Sequence, residues 1–165
     1  MPAVHIKTIR VEADSIDVHG HVNNQEYLRW MQEAAIEHSA RQGWPMERYL
    51  ALGASWYVKS HFIDYLRPAL LADEILVCTW VAGMDRRIWP RKTVFLRRAD
   101  RQMLARAETR WVFVNLASER PQVVPAALRA AFTTVDCENA ALEEAFQGTA
   151  PEKTENPSSG FLCLP

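Results

Sequence analysis

No stretch of this chain approaches the ~20 consecutive apolar residues of a membrane span, and the opening Met-Pro-Ala-Val-His-Ile-Lys lacks the apolar run of a secretory signal. Both absences lead us to expect a cytoplasmic protein with no stable membrane insertion. An excess of charge of one sign is missing as well: 19 Lys and Arg face 20 Asp and Glu, for a formal net charge of −1. Such a balance argues against wholesale attraction to nucleic acid or an anionic surface, so an anionic ligand would have to be met locally. Cysteine is scarce, and Cys78, Cys137 and Cys163 are too far apart for a C-x-x-C zinc or redox pair. Cys78 sits in an apolar strand pattern and reads as core. Also absent are a G-x-S-x-G elbow, an H-E-x-x-H helix, a P-loop and a G-x-G-x-x-G turn, which removes most of the case for zinc hydrolysis, nucleotide hydrolysis and hydride transfer. Neither cofactor nor metal is expected.

What is present suits one globular domain: 165 residues, 48% of them apolar. Residues 4–12 alternate apolar and polar side chains at Val4, Ile6, Ile9 and Val11 with one slip, the period of a strand. Residues 25–42 place Tyr27, Leu28, Met31, Ala34, Ala35 and His38 at helical spacing, and Gly43 with Pro45 stops the helix. A short helix is predicted over 46–52. Four β-rich segments follow, beginning at Ser55, Glu74, Thr93 and Ala105, separated by turn residues at Pro68, Asp73, Gly83 and Ala99–Gln102. Pro90 lacks an N–H, so the third of these strands is expected to start after it.

The order of elements is α+β: an antiparallel sheet around one long helix, with a C-terminal helical extension at 126–132 and 137–147. Residues 148–160 are rich in Thr, Glu, Pro and Ser, the composition of a tether, and the chain closes on Phe-Leu-Cys-Leu-Pro. We therefore expect a domain over 1–147 and a flexible tail over 148–165, the final pentapeptide either docked or frayed.

The stretch from Asp17 to Tyr27, Asp-Val-His-Gly-His-Val-Asn-Asn-Gln-Glu-Tyr, carries the chemistry. It sets a carboxylate, a glycine and two side-chain amides just before the long helix, where free backbone N–H groups and the helix dipole can face one point. By itself it also reads as an Asx-rich turn with an Asn helix cap. His19 and His21 bring no carboxylate or cysteine set that would make them a metal site.

Taken whole, D-x-x-G-H-V-N-N-x-x-Y before an apolar helix resembles the start of hotdog-fold acyl-CoA thioesterases of the 4-hydroxybenzoyl-CoA thioesterase type, and the resemblance covers residues 4 to about 132. It implies a five-stranded antiparallel sheet wrapped around a central helix, self-association as dimer or tetramer with sites between subunits, and hydrolysis of an acyl-CoA. It assigns Asp17 as nucleophile or general base and the Asn24 backbone N–H as the polariser of the thioester carbonyl, with Gly20 allowing the close bend. His21 and Asn23 would shape the turn, His21 also being a candidate for substrate contact, and Tyr27 completes the motif. Many relatives carry a further aspartate two positions before the catalytic one; here Ser15 stands there. A non-catalytic acyl-binding or interaction protein of the same fold is the alternative.

Nine basic residues lie between 86 and 110, and arginines on alternate strand positions often mark the solvated face of a sheet. For the phosphates of coenzyme A the candidates are Arg86, Arg87, Arg91 and Lys92 near the Gly83 turn, with Lys59 behind them. Trp30, Trp44, Trp56 and Tyr57 are candidates for an acyl tunnel or for ordinary core.

Overall fold

In a computed structural model, which describes residues 2–147, the β-period of the N-terminal segment forms β1 (Val4–Arg10). It ends before Val11, whose N–H is taken by the Asp73 carbonyl. The flexible tail expected over 148–165, with its last five residues, lies outside the described residues.

The helical spacing is realised as α1 (Asn24–Arg41). Its buried stripe is Tyr27, Trp30, Met31, Ala34, Ala35 and His38, the i, i+3, i+4 rows of one face. Trp30 belongs to it beside the predicted residues, whereas Leu28 is only partly buried. Ala34 has no exposed surface, and a methyl there lets the helix lie close to the sheet. Beyond the Gly43 turn, α2 (Met46–Leu52) ends on Gly53 in the left-handed conformation.

Four strands complete the sheet: β2 (Ala54–Tyr65), β3 (Glu74–Val81), β4 (Ile88–Arg97) and β5 (Met103–Asn115). They are ordered β1-β3-β4-β5-β2 with every pairing antiparallel. Thus β2 is an edge, and it is the most exposed strand. α1 crosses over β3 and β1, leaving the β5–β2 half of the same sheet face to a cavity.

Pro90 departs from expectation, for β4 starts at Ile88 and runs through the proline. The Pro90 carbonyl accepts the Ala82 N–H at 2.8 Å, so the donor-less nitrogen turns to that same side, past the last residue of β3. No ladder donor is lost toward β5.

The C-terminal helices α3 (Ala126–Ala130) and α4 (Glu138–Phe146) are shorter than predicted by a residue or two at their ends. α4 lies on the sheet face opposite α1, where Ala141 packs with Val4, Leu76, Cys78, Trp80, Val94 and Leu96. The sheet is therefore covered on both faces along its β1–β3 half. Cys78 is core, as expected, and burial pushes its thiol pKa up to about 12.

Candidate active site

A short loop closed at its base positions the polar groups of residues 17–24. Ile16 and Val22 form an antiparallel bridge, the Asp17 N–H donates to the His21 carbonyl at 2.8 Å, and the Gly20 N–H returns to the Asp17 carbonyl at 3.0 Å. Gly20 has φ +78°, a conformation that an L side chain resists, while its missing Cβ would meet nothing; the constraint is backbone shape, not space. Beyond the loop, the Val22 N–H is held by the Ala69 carbonyl and the Asn23 N–H by the Ser15 carbonyl. Both ends of the turn are thereby tied to neighbouring segments.

Within this frame one oxygen of Asp17, Oδ1, accepts backbone N–H groups from His19 at 2.8 Å and His21 at 3.4 Å. The other, Oδ2, has no partner among the described residues. The Asn23 side chain caps α1 by accepting the Gln25 N–H at 2.9 Å, and the Asn23 carbonyl takes the Glu26 N–H at 2.9 Å. Of the helix's first three N–H groups only that of Asn24 is left without an acceptor among the described residues. The Asx turn and the helix cap are thus both real, and together they leave one carboxylate oxygen and one helix N–H unengaged.

Asp17, His21, Asn24 and Tyr27 line one cavity of about 470 Å³ with Tyr65 and Arg67. Burial pushes the Tyr27 phenol up to about 12, against the opposing effect of the Ala69 backbone N–H that faces its oxygen. The Tyr65 hydroxyl donates to the Asn24 carbonyl at 3.2 Å, joining the end of β2 to the start of α1. Sequence reasoning missed Tyr65 and Arg67. Their only signal was the strand end at Tyr-Leu-Arg-Pro, and it takes the fold to bring that end 41 positions back to Asn24. Ser15 is buried, and its hydroxyl reaches the Glu26 carboxylate at 3.4 Å, so that position supports the helix start.

The basic residues are placed differently from the expectation. Arg86 and Arg87 are exposed on the β3–β4 loop, at the end of β3 opposite to Ala69, across eight residues or ~26 Å of strand. Arg91 and Lys92 are adjacent in β4 and so face opposite sides of the sheet. Arg91 turns inward and is buried beneath α1, which corrects its grouping with a surface phosphate patch. Lys59 is exposed at a register shift of edge strand β2. Neither it nor Arg86, Arg87, Arg91 or Lys92 lines the Asp17 cavity within one chain.

A second cavity, of about 490 Å³, lies between α1, α2 and the β5–β2 half of the sheet. Trp44, Trp56 and Tyr57 line it, as do Trp89 and Trp111. Trp30 does not; it packs against Tyr27 in the core at a ring distance of 5.6 Å.

Comparison with known proteins agrees with the fold. The model of the family described as the thioesterase-like superfamily matches residues 11–132. The long-chain acyl-CoA thioesterase FadM of Escherichia coli (strain K12) is 26% identical over 124 residues, 73% of this chain and 91% of that protein. Among solved structures, a 1,4-dihydroxy-2-naphthoyl-CoA thioesterase from Synechocystis aligns with a TM-score of 0.73 at 19% identity, over 81% of this chain and 98% of its own. The gentisyl-coenzyme A thioesterase BH1999 aligns at 0.69 and 20% identity, over 78% and 99%. Both share the fold.

Proposed function

We propose that this chain, which belongs to the thioesterase-like superfamily and is a thioester hydrolase of the hotdog fold, cleaves an acyl-CoA to a free carboxylic acid and coenzyme A. One observation carries the assignment of its site: the free oxygen of the Asp17 carboxylate and the unengaged Asn24 N–H line one cavity at the start of α1. A thioester is already a good acyl donor, so one carboxylate and one preorganised N–H supply what the reaction needs.

In this reading the thioester oxygen accepts the Asn24 N–H, where the helix dipole favours the negative charge that develops in the tetrahedral intermediate. Asp17 acts either as nucleophile, forming an acyl–carboxyl anhydride that water opens, or as the base that takes a proton from the attacking water. In both routes the C–S bond breaks and the sulfur leaves as thiolate, to be protonated by solvent. The two backbone N–H bonds on Oδ1 hold the carboxylate in place while Oδ2 faces the cavity. Gly20 provides the bend, and His21 contributes its backbone N–H to Asp17. Arg67 at the rim supplies positive charge for an anionic substrate.

Self-association and a cytoplasmic location belong to the same proposal, and the exposed β2 edge supports the first. Two copies pairing antiparallel along β2 would set the Tyr65 end of one beside the Ala54 end of the other. The end of the sheet that bears Arg86 and Arg87 in one copy would then approach the Asp17 cavity of its partner.

The deciding experiment is release of free thiol from a panel of acyl-CoAs by wild type and by Asp17→Asn, which removes charge and basicity but nearly keeps shape. Turnover by wild type and a loss in kcat of roughly 10²–10⁴ in the variant, with unchanged unfolding, is the expected result. No thiol release from any member would favour a non-catalytic acyl-binding protein, and full activity in Asp17→Asn would remove Asp17 from the mechanism.

A further inference from the structure

The cavity beside β2 is walled mainly by indoles and other apolar side chains, with Gln32, Ser39 and Ser55 as neutral polar members, and carries no aspartate or glutamate among the described residues. On its wall sits Arg91, only 7% exposed. Its Nη1 donates to His38 Nδ1 at 3.0 Å and to Thr79 Oγ1 at 3.2 Å. Both partners are neutral. His38 is kept so by burial and by Arg91 itself, which lower its pKa to about 3; a guanidinium only donates, so Nδ1 accepts and the ring proton sits on Nε2, 3.1 Å from the Gln42 side-chain amide. No carboxylate pairs with the guanidinium among the described residues; Glu37, the nearby acid of α1, is engaged by Lys7 and His5 instead. Nε and Nη2 of Arg91 have no acceptor among the described residues.

A buried guanidinium without a counter-charge is costly unless something supplies one. Burial lowers the Arg91 pKa only to about 10, so it stays a cation at neutral pH. Other donors nearby lean the same way. The indole N–H groups of Trp56 and Trp89 are spent on the Tyr49 hydroxyl and the Asp85 carbonyl, but that of Trp111 is buried with no partner among the described residues. The wall is therefore mostly apolar and aromatic, with a cation at one point and no competing anion among the described residues, within a volume that suits a small molecule.

We infer that this cavity binds an apolar carboxylate, its ring or chain among the tryptophans and its anionic oxygens on the fork of Arg91. Arginine geometry matches two carboxylate oxygens, and a dry, low-dielectric surround strengthens the pairing. The carboxylate has two possible sources, a free acid such as thioester hydrolysis releases, or the far end of an acyl group that carries a second carboxyl. Binding of the carboxylate goes beyond the proposed reaction; only the choice of source rests on it.

The test is calorimetric titration of the full chain with 1-naphthoate and with its neutral isostere 1-naphthamide, which needs no catalysis. Wild type should bind the acid about tenfold or more tighter than the amide, and Arg91→Met should bring the two together. Val58→Trp, at the rim of the cavity, should weaken both ligands alike. Equal affinities for acid and amide in wild type would overturn the inference, whether or not Arg91→Met folds, and so would a preference that survives in Arg91→Met. Steady-state hydrolysis then distinguishes the sources. If the ligand is the free acid, Arg91→Met relieves inhibition by naphthoate and leaves KM for naphthoyl-CoA unchanged. If it is a distal carboxyl, Arg91→Met raises KM for the mono-CoA thioester of a naphthalenedicarboxylic acid and not for naphthoyl-CoA. Absence of all hydrolysis would defeat the proposed function while leaving the binding result standing.

Discussion

Burial on the inner face of α1, followed by the positive charges of Arg91 and His5, lowers the pKa of His38 to about 3 from the ordinary 6.5. The unfolded chain takes up a proton at that residue near pH 6.5 and the folded chain does not until about pH 3, so its contribution to stability is full above 6.5 and is lost as the pH falls through that interval. The slope is ~1.4 kcal/mol per pH unit once well below 6.5. His5 and His61 are lowered too, chiefly by burial, and act in the same direction. Glu37, which burial would raise but Lys7 and His5 lower on balance, adds stability that is lost only as the pH falls through the carboxylate range. His38→Asn keeps an acceptor near the Nδ1 position for Arg91 but cannot titrate. Urea unfolding at pH 7.5 and 5.5 should therefore show a smaller loss of stability for His38→Asn than for wild type, and equal losses would mean that His38 is solvated.

Helices α1 and α4 lie on opposite faces of one sheet, and they are held by different means. α1 buries a continuous stripe of aromatic and small residues. α4 is short and depends on Ala141 and its neighbours, together with the Ala3 N–H that the Glu144 carboxylate accepts at 2.7 Å. At this length its own helical propensity is marginal, so it stays folded by docking. Removing everything after Val135 should uncover Leu76, Cys78, Trp80 and Leu96. In a Cys137→Ser, Cys163→Ser background, we expect the Cys78 thiol to resist a thiol reagent in the full-length chain and to react with it after truncation, with aggregation alongside. A thiol that stays unreactive after truncation would mean that α4 is dispensable to this face.

At the scale of the whole molecule the 12-residue edge strand β2 is the feature that most needs a partner. It exposes Phe62 (66%), Tyr57 and Tyr65 as well as its unpaired edge, a combination that isolated proteins avoid. We expect a dimer or tetramer by light scattering at micromolar concentration; a monomer would contradict assembly through this edge. The same assembly bears on coenzyme A, because Arg86 and Arg87 are remote from Asp17 within one chain. If a second copy's arginines meet the nucleotide phosphates, Arg87→Ala should raise KM for acyl-CoA severalfold and flatten its dependence on salt, with little change in kcat. A short thioester lacking the nucleotide should be hydrolysed as before. Equal losses on both substrates would mean that Arg87 serves the fold.

Local pattern alone determined the long helix, the five strands, the glycine at the Asp17 turn and the polar residues beside it, because each depends on spacing within a few residues: a period of 3.6 or 2, a positive φ, a cap. Tertiary structure decided the rest. Side-chain alternation in β4 shows that Arg91 and Lys92 face apart, but only packing reveals that the Arg91 side is covered by α1 and that no carboxylate among the described residues pairs with it. Pro90 was tolerated because β3 stops where the missing donor would have been needed, a fact about a neighbouring strand's length. Tyr65 and Arg67 reached the Asp17 cavity through antiparallel pairing over a long sequence separation, and α4 found a sheet face that its weakly amphipathic sequence does not specify. Each of these outcomes depends on which distant surfaces meet, and that is set by the summed burial of the whole chain rather than by any one segment.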